Sequence, residues 1–380
     1  MTVSDQAFMS RALRLAALGR HASPNPMVGC VIVSPSGEIV GQGFHPKAGE
    51  PHAEVFALRA AGTLAKGATA YVTLEPCAHH GRTPPCADAL IAAGVRRVFV
   101  ALQDPDPRVS GQGIARVKNA GIDVHLGLCA EQAAGLIAAY LKHRRTGLPF
   151  VAVKIAMTLD GRIATEQGDS QWITSEITRR WVHRQLRDRA DAILVGIGTV
   201  LADDPSLTTR LAHKPGRNPI RIVVDSQART PLDSNLVKLA GDGKTWIAHT
   251  DQADPNRLSA LIDAGVKLLR CTTDNPDSNY KNRNQPERVN LSDLLAQLGT
   301  QGDIVGVLVE GGSELIGSLL KEGLVDRYIA AIAPKIVGGK GAPGPVGGAA
   351  LAQKMESAVD VVRWNWRRSG PDLVVDARLR

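Results

Sequence analysis

Pro51-His52-Ala53-Glu54, followed by Glu75-Pro76-Cys77 and then by Cys86, is the stretch around which the chain is organised. One histidine and two cysteines suit zinc and leave its fourth position open to water. Glu54 stands two residues past the histidine, placed to move protons rather than to bind the ion. Each part alone is weak, because the chain carries ten histidines and a buried cysteine is commonly a small hydrophobe. The weight lies in the parts occurring together and in order.

Upstream, 28–33 reads as a buried strand, Pro35-Ser36-Gly37 as a hairpin turn and 38–43 as the returning strand. A Gly/Pro-containing loop over 45–51 delivers His52 to the first turn of a helix running to Ala61. The unpaired amides there favour an anionic ligand. The next strand, 68–74, ends in Glu75-Pro76-Cys77 at a strand-to-helix junction. Cys86 lies just before a short helix with a glycine stop at Gly94. The thiolates are therefore expected at helix N-termini, which stabilise them.

At the front, 4–20 reads as an amphipathic helix capped by Ser4 and ended by Gly19, and Ser23-Pro24-Asn25-Pro26 as a rigid turn. Strands follow at 97–102 and 122–126, then one helix over 129–145. Gly147-Leu148-Pro149 marks a boundary, giving domains 1–147 and 148–380. The second half alternates as well, with strands at 150–157, 190–195, 220–224, 245–249, 266–269, 304–309, 327–333 and 374–379. The polar stretch 274–290 reads as an exposed insertion. This alternation predicts an α/β fold with mostly parallel sheets.

The chain has 380 residues, 44% of them hydrophobic but only 4% aromatic, so cores of Val, Ile, Leu and Ala are expected. The net charge of +8 and pI near 9.4 come from scattered Lys and Arg, which favours phosphate-bearing small molecules over a nucleic-acid stripe. Five cysteines in no disulfide spacing, no signal-peptide pattern and no apolar run near 18 residues point to the cytoplasm.

H-x-E followed by P-C…C is the pattern of zinc-dependent nucleobase deaminases. Zinc would lower the pKa of a bound water. Glu54 would then shuttle its proton to a ring nitrogen and help ammonia to leave. A purely structural zinc would need a fourth protein ligand, which His79 or His80 could supply. Asn25, His45, Arg82, Asp104 and Asp106 fall in loops near this site, as pocket residues or as ordinary turn and capping residues. Arg82 and His45 could meet a phosphate. In the second half, strand, Gly311-Gly312-Ser313 and helix offer backbone amides to a phosphate. Neither this segment nor Gly196-Ile197-Gly198 is the full dinucleotide fingerprint.

Several longer segments carry a resemblance. Residues 23–29 (SPNPMVG), 51–54 and 76–86 (PCAHHGRTPPC) resemble the deaminase half of the bifunctional RibD family of riboflavin biosynthesis. Residues 154–162 (KIAMTLDGR), 170–174 (SQWIT), 203–208 (DDPSLT) and 310–312 resemble its reductase half. The nine-residue spacing from Cys77 to Cys86 sets the chain apart from nucleic-acid deaminases, which carry C-x-x-C. The resemblance implies a cytidine-deaminase-like three-layer domain followed by a dihydrofolate-reductase-like domain. The first would use one Zn2+ per chain to deaminate 2,5-diamino-6-(5-phosphoribosylamino)pyrimidin-4(3H)-one. The second would use NADPH to reduce the ribosyl group to ribityl.

By the same resemblance, zinc ligation falls on His52, Cys77 and Cys86, acid–base work on Glu54, and the deaminase pocket on Asn25, His45, Arg82, Asp104 and Asp106. NADPH contacts fall on Ala156, Trp172, Thr199, Asp203, Ser226 and the run Gly312, Ser313, Glu314, Leu315, Ile316, Gly317 and Ser318. Reductase-substrate contacts fall on Ser170, Arg187, Leu207, Arg210 and Glu310. A homo-oligomer, dimer or tetramer, is implied, with a phosphorylated pyrimidine as ligand and neither nucleic acid nor membrane as partner. Two rivals remain at this point. A nucleic-acid deaminase with an unrelated C-terminal domain would bind RNA or DNA in a salt-sensitive way and ignore NADPH. A non-catalytic zinc-stabilised binding protein would close its zinc site with a fourth ligand.

Overall fold

The computed structural model describes residues 2–79, 84–213, 215–274 and 287–379. The chain falls into two compact units, Met1–Gly147 and Leu148–Arg380. The first unit contains, in order, α1 (Val3–Ala16), β1 (Gly29–Val33), β2 (Ile39–Phe44), α2 (Ala53–Ala61), β3 (Thr69–Val72), α3 (Cys86–Ala92), β4 (Arg97–Val100), α4 (Gln112–Asn119), β5 (Asp123–Leu126), α5 (Ala130–Leu136) and α6 (Ala138–Thr146).

Its sheet has the order β2-β1-β3-β4-β5. Only β3, β4 and β5 are parallel, while β1 runs antiparallel to both neighbours, so the mostly parallel expectation is corrected to a mixed sheet here. The cause is the short turn at 35–37, which can only return the chain antiparallel. Side chains alternate between two cores. Cys30, Ile32, Val72 and Val98 meet Ala57, Leu90, Val117 and Leu141 on one face, and Val31, Tyr71 and Phe99 meet Met9, Ala12 and Ala133 on the other. Helices on both faces make three layers.

Three local expectations change. The first helix is capped by Thr2 rather than Ser4: Thr2 and Asp5 exchange side-chain-to-backbone bonds in a capping box. It ends at Ala16, short of Gly19. The single helix expected over 129–145 breaks at Ile137, whose φ of −108° and ψ of 26° separate α5 from α6.

The second unit contains β6 (Phe150–Thr158), α7 (Glu176–Gln185), β7 (Ala192–Gly196), α8 (Ile197–Asp203), β8 (Ile220–Val224), α9 (Asn235–Lys238), β9 (Thr245–His249), α10 (Pro255–Asp263), β10 (Lys267–Arg270), α11 (Leu291–Thr300), β11 (Gly306–Val309), α12 (Ser313–Lys321), β12 (Arg327–Ala333), β13 (Val361–Ser369) and β14 (Asp372–Leu379). The sheet order is β10-β9-β8-β7-β11-β6-β12-β14-β13. It is parallel through β12, after which β14 and β13 add on antiparallel. One core packs under α11 and α12 and the other under α7 to α10. The carboxyl ends of β8, β7, β11 and β6 lie side by side, the place where open parallel sheets bind ligands. Thr273 bridges Val289, so the ends of the polar 274–290 stretch meet, and residues 275–286 lie outside the described residues.

Candidate active sites

In the first unit, α2 is pressed onto β2 through glycines. A Cβ at Gly41 would stand 2.1 Å from the Ala57 carbonyl oxygen, and one at Gly43 2.6 Å from that of Ala53. This close approach fixes the start of α2, with His52 at its N-cap and Glu54, only 3% exposed, in its first turn. Cys86 opens α3 and donates its backbone N–H to Cys77 Sγ at 3.3 Å. His52 Nδ1 lies 3.6 Å from Cys77 Sγ and 3.3 Å from Cys86 Sγ, and the three ligand atoms lie within 4.8 Å of one another.

Hydrogen bonding from Cys86 and His52 holds the Cys77 thiol below its ordinary range, while Cys77 and burial push Cys86 up. The bond to Cys77 pulls His52 up. An imidazole and two thiols sharing protons this closely are a donor set that a divalent cation fits. Exposed His79 does not join the cluster among the described residues, and His80 lies outside them. The sequence-predicted zinc ligands are thus brought together with Glu54 beside them.

The pocket over this cluster is lined by Asn25, His45, His52, Glu54, Cys77, Asp104 and Asp106. Arg82 lies outside the described residues. His45 donates from Nδ1 to the Pro51 carbonyl at 3.1 Å, so its Nε2 accepts from Asn25 Nδ2, also at 3.1 Å. Burial lowers the His45 pKa and keeps it neutral in this role. The amide of Asn25 is thereby oriented with its oxygen free.

Asp104 is buried, accepts from Tyr140 Oη at 3.0 Å, and is pushed above the usual carboxylate range by that burial. Asp106 is engaged differently. The Arg108 fork takes both its oxygens, at 2.9 and 2.6 Å, and draws its carboxyl down to about 2. Behind them, the Glu75 carboxylate accepts four backbone N–H groups, from Asp104, Gly111, Gly113 and Ile114. It ties the pocket loop and the start of α4 to the end of β3. Sequence reasoning gave Glu75, within the organising stretch, no role of its own and missed Arg108, Tyr140 and Arg144. Only the i, i+4 pair Tyr140 and Arg144, stacked at 5.3 Å, left a readable signal.

In the second unit, Gly311 and Gly312 follow β11 and face Thr199 of α8. A Cβ on Gly311 would stand 2.9 Å from Thr199 Oγ1, and Gly312 has a φ of +81°. The first turn of α12 carries no side-chain cap, leaving its amides open to a phosphate. Such a cradle fits a dinucleotide, and Ala156 on β6 and Ser226 after β8 lie along the same strand ends. The expected run 312–318 contributes unevenly. Leu315 and Ile316 point into the core, and a Cβ on Gly317 would meet the Gly347 carbonyl oxygen at 2.0 Å. Besides backbone amides, the half-buried Ser313 and Ser318 and the exposed Glu314, which pairs with Arg288 at 3.5 Å, remain for a ligand there. Asp203 closes α8, half-buried Ser170 precedes α7, and Trp172 is 58% exposed with Arg179 stacked on it at 4.3 Å.

Residues expected on the substrate side gather around Glu310. Arg187 reaches its Oε2 from Nε at 2.7 Å and from Nη2 at 2.6 Å, and donates from Nη1 to the Thr208 carbonyl. Burial pushes the Glu310 carboxyl up, but Arg187 and Lys154 more than offset it and leave it lowered. Glu310 Oε1 is buried without a hydrogen-bond partner. Burial pushes Lys154 on β6 below its ordinary range, against the pull of Glu310. Arg210 joins through His183, which accepts its backbone N–H at Nδ1. Leu207 is buried at a φ of +47°, so it offers a ligand only its backbone. Lys154 and His183 were not singled out from the sequence, because only the fold brings them to Glu310.

Fold and sites define a two-part enzyme, a zinc deaminase joined to a reductase. The family model described as the cytidine and deoxycytidylate deaminase zinc-binding region matches residues 2–102, and that of the RibD C-terminal domain matches 149–375. The riboflavin biosynthesis protein RibD of Escherichia coli K12 is 47% identical over 88% of this chain and 89% of its own. The solved Acinetobacter baumannii RibD aligns over 99% of both chains with a TM-score of 0.84 and 38% identity. A Thermotoga maritima diaminohydroxyphosphoribosylaminopyrimidine deaminase/5-amino-6-(5-phosphoribosylamino)uracil reductase aligns over 99% of both, with a TM-score of 0.79 and 33% identity. The chain belongs to the RibD family, the bifunctional deaminase–reductases of riboflavin biosynthesis, with zinc and NADPH as cofactors. The match over 149–375 removes the rival with an unrelated C-terminal domain, and membership of an enzyme family removes the non-catalytic one.

Proposed function

We propose that residues 1–147 deaminate 2,5-diamino-6-(5-phosphoribosylamino)pyrimidin-4(3H)-one and that residues 148–380 reduce the product to 5-amino-6-(5-phosphoribitylamino)uracil. The observation that carries this reading is the three-ligand cluster His52, Cys77 and Cys86 with the buried Glu54 beside it. These three residues would hold the zinc, which when bound acidifies a water. Glu54 accepts that proton on its carboxylate, passes it to the ring nitrogen, and supplies a proton to the departing ammonia. Asn25, oriented by His45, presents its amide oxygen to the pyrimidine, and Asp104 accepts from the ring's amino or N–H edge. Asp106 acts through Arg108, which it holds at the pocket rim.

In the second unit, the amides of Gly312 and Ser313, with Thr199, would hold the NADPH phosphates, and the cofactor supplies hydride when bound. Reduction to ribityl breaks the bond from C1′ to the ring oxygen, places hydride on C1′ and requires a proton on that oxygen. Lys154, its pKa lowered by burial, donates that proton, and Glu310 holds Arg187 in place. Incubating the zinc-loaded protein with the diaminopyrimidine, following ammonia release and NADPH oxidation separately, tests the reading. No ammonia from fully zinc-loaded protein overturns the deaminase half.

A homo-oligomer is part of this proposal. β13 is an edge strand, and Val361, Val362, Trp364 and Trp366 on it are 47, 56, 61 and 63% exposed. Trp364 and Trp366 pair with Ala377 and Val375, so both point to one face. Covering this face with a second copy removes on the order of 1,000 Å2 from water, the low end of a specific interface. Trp366→Glu should shift the protein to a smaller species by sedimentation; an unchanged species places the contact elsewhere. Among the described residues no helix is long and apolar enough to cross a membrane. With the unpaired cysteines, this supports a cytoplasmic site of action.

A further inference from the structure

His183 and Arg210 meet at two points, and only one of the two contacts can be a hydrogen bond. The backbone N–H of Arg210 can only donate, and it points at His183 Nδ1 from 3.1 Å. Nδ1 is therefore the bare nitrogen of the ring, and the proton of the neutral imidazole sits on Nε2. The imidazole is held neutral, its pKa driven down to about 4 by burial and then by the positive charges of Arg187 and Arg210. Yet Nε2 faces Arg210 Nη2 at 3.4 Å, and a guanidinium has only donors. Two N–H groups converge with no acceptor between them.

The charges around this pair point the same way. Lys154, Arg187 and Arg210 are three cations grouped about one carboxylate, Glu310, one oxygen of which is taken by two nitrogens of Arg187. Burial and Arg187 lower the Arg210 pKa against the pull of Glu310, and among the described residues no carboxylate is paired with the guanidinium. Converging donors with surplus positive charge are complementary to a doubly charged oxyanion.

We propose that His183 Nε2–H and the Arg210 guanidinium together grip the phosphate of the phosphoribosyl substrate, with His183 a specificity-determining residue of the reductase. This rests on the reductase reading given above. His183 also braces the Arg210 backbone through Nδ1, so one ring both positions the arginine and adds a donor. An uncharged donor next to a permanent cation suits a phosphate at every physiological pH, because it never competes for the proton.

Two substitutions separate the roles. His183→Asn keeps an acceptor near the place of Nδ1 and removes the outer N–H, whereas His183→Gln keeps a donor near the place of Nε2 and removes the acceptor. Binding of inorganic phosphate and of ribose 5-phosphate to the full chain is measured by calorimetry, beside the KM and kcat of NADPH oxidation with the deaminated substrate. The proposal expects His183→Asn to weaken both phosphate probes and raise the substrate KM roughly tenfold or more, with kcat and the KM for NADPH little changed. His183→Gln should retain more phosphate binding than His183→Asn. If His183→Asn binds both probes like wild type, His183 only braces the Arg210 backbone and the proposal is overturned. If wild type binds phosphate through His183 but does not oxidise NADPH with the deaminated compound, the reductase reading fails while the anion site stands.

Discussion

Arg187 grips a single oxygen of Glu310 with two nitrogens, at 2.7 and 2.6 Å, and leaves the other oxygen of that buried carboxylate without a partner. An ion pair this deeply buried is costly to break from one side. Arg187→Met should lower the stability of the second unit by about 3–5 kcal/mol and abolish reductase activity. Ammonia release should be unchanged. Thermal unfolding with separate assays of the two activities checks this, and a parallel loss of both activities would contradict it.

Cys77 and Cys86 are proposed to hold the metal through sulfur, and serine is a much poorer zinc ligand. Cys77→Ser should drop the zinc content well below one per chain and lower ammonia release at least 100-fold, with NADPH oxidation unaffected. Elemental analysis beside the two assays decides it. Full zinc occupancy in this variant would place the ligand elsewhere.

Glu75 gathers four backbone N–H groups, and no uncharged isostere can accept all four. In Glu75→Gln, the new NH2 faces amide donors whichever way the side chain turns. The expected cost is about 1–3 kcal/mol, with a raised KM for the deaminase and an unaltered reductase. A melting temperature equal to wild type would show that the carboxylate does not hold the loop.

The pairing of Asp106 with Arg108 has a definite pH signature. The folded Asp106 pKa lies near 2, below the unfolded value of about 3.9. A depressed carboxyl pKa stabilises the fold above the unfolded value, and that stabilisation is lost as pH falls through the folded one. Because Arg108 is largely exposed, the pair contributes only about 1 kcal/mol. Wild type should thus be more stable than Arg108→Ala above pH 4, and the difference should vanish between pH 4 and 2. A gap that persists at pH 2 would trace the effect to packing.

Sequence revealed what is encoded locally. His52, Glu54, Cys77 and Cys86 were legible because zinc ligands sit in short segments at element ends, where turn residues mark the boundaries. The strands of the second unit were legible because buried parallel strands read as continuous apolar runs. What escaped depends on partners far along the chain. Lys154 and His183 meet Glu310 only because β6 lies beside β11 and α7 packs over them. β13 escaped because eight of its nine residues are exposed and only pairing with β14 makes it a strand. The break at Ile137 and the helix α4 are set by packing against the sheet, which local propensity does not report.

The central claim is that Glu54 moves protons for one reaction and has no part in the other. It is tested most directly by Glu54→Gln, assayed for ammonia release with the diaminopyrimidine and for NADPH oxidation with the already deaminated compound. The expected result is zinc bound as in wild type, ammonia release down by at least 100-fold, and NADPH oxidation unchanged. Ammonia release within a few-fold of wild type, with zinc in place, would contradict it.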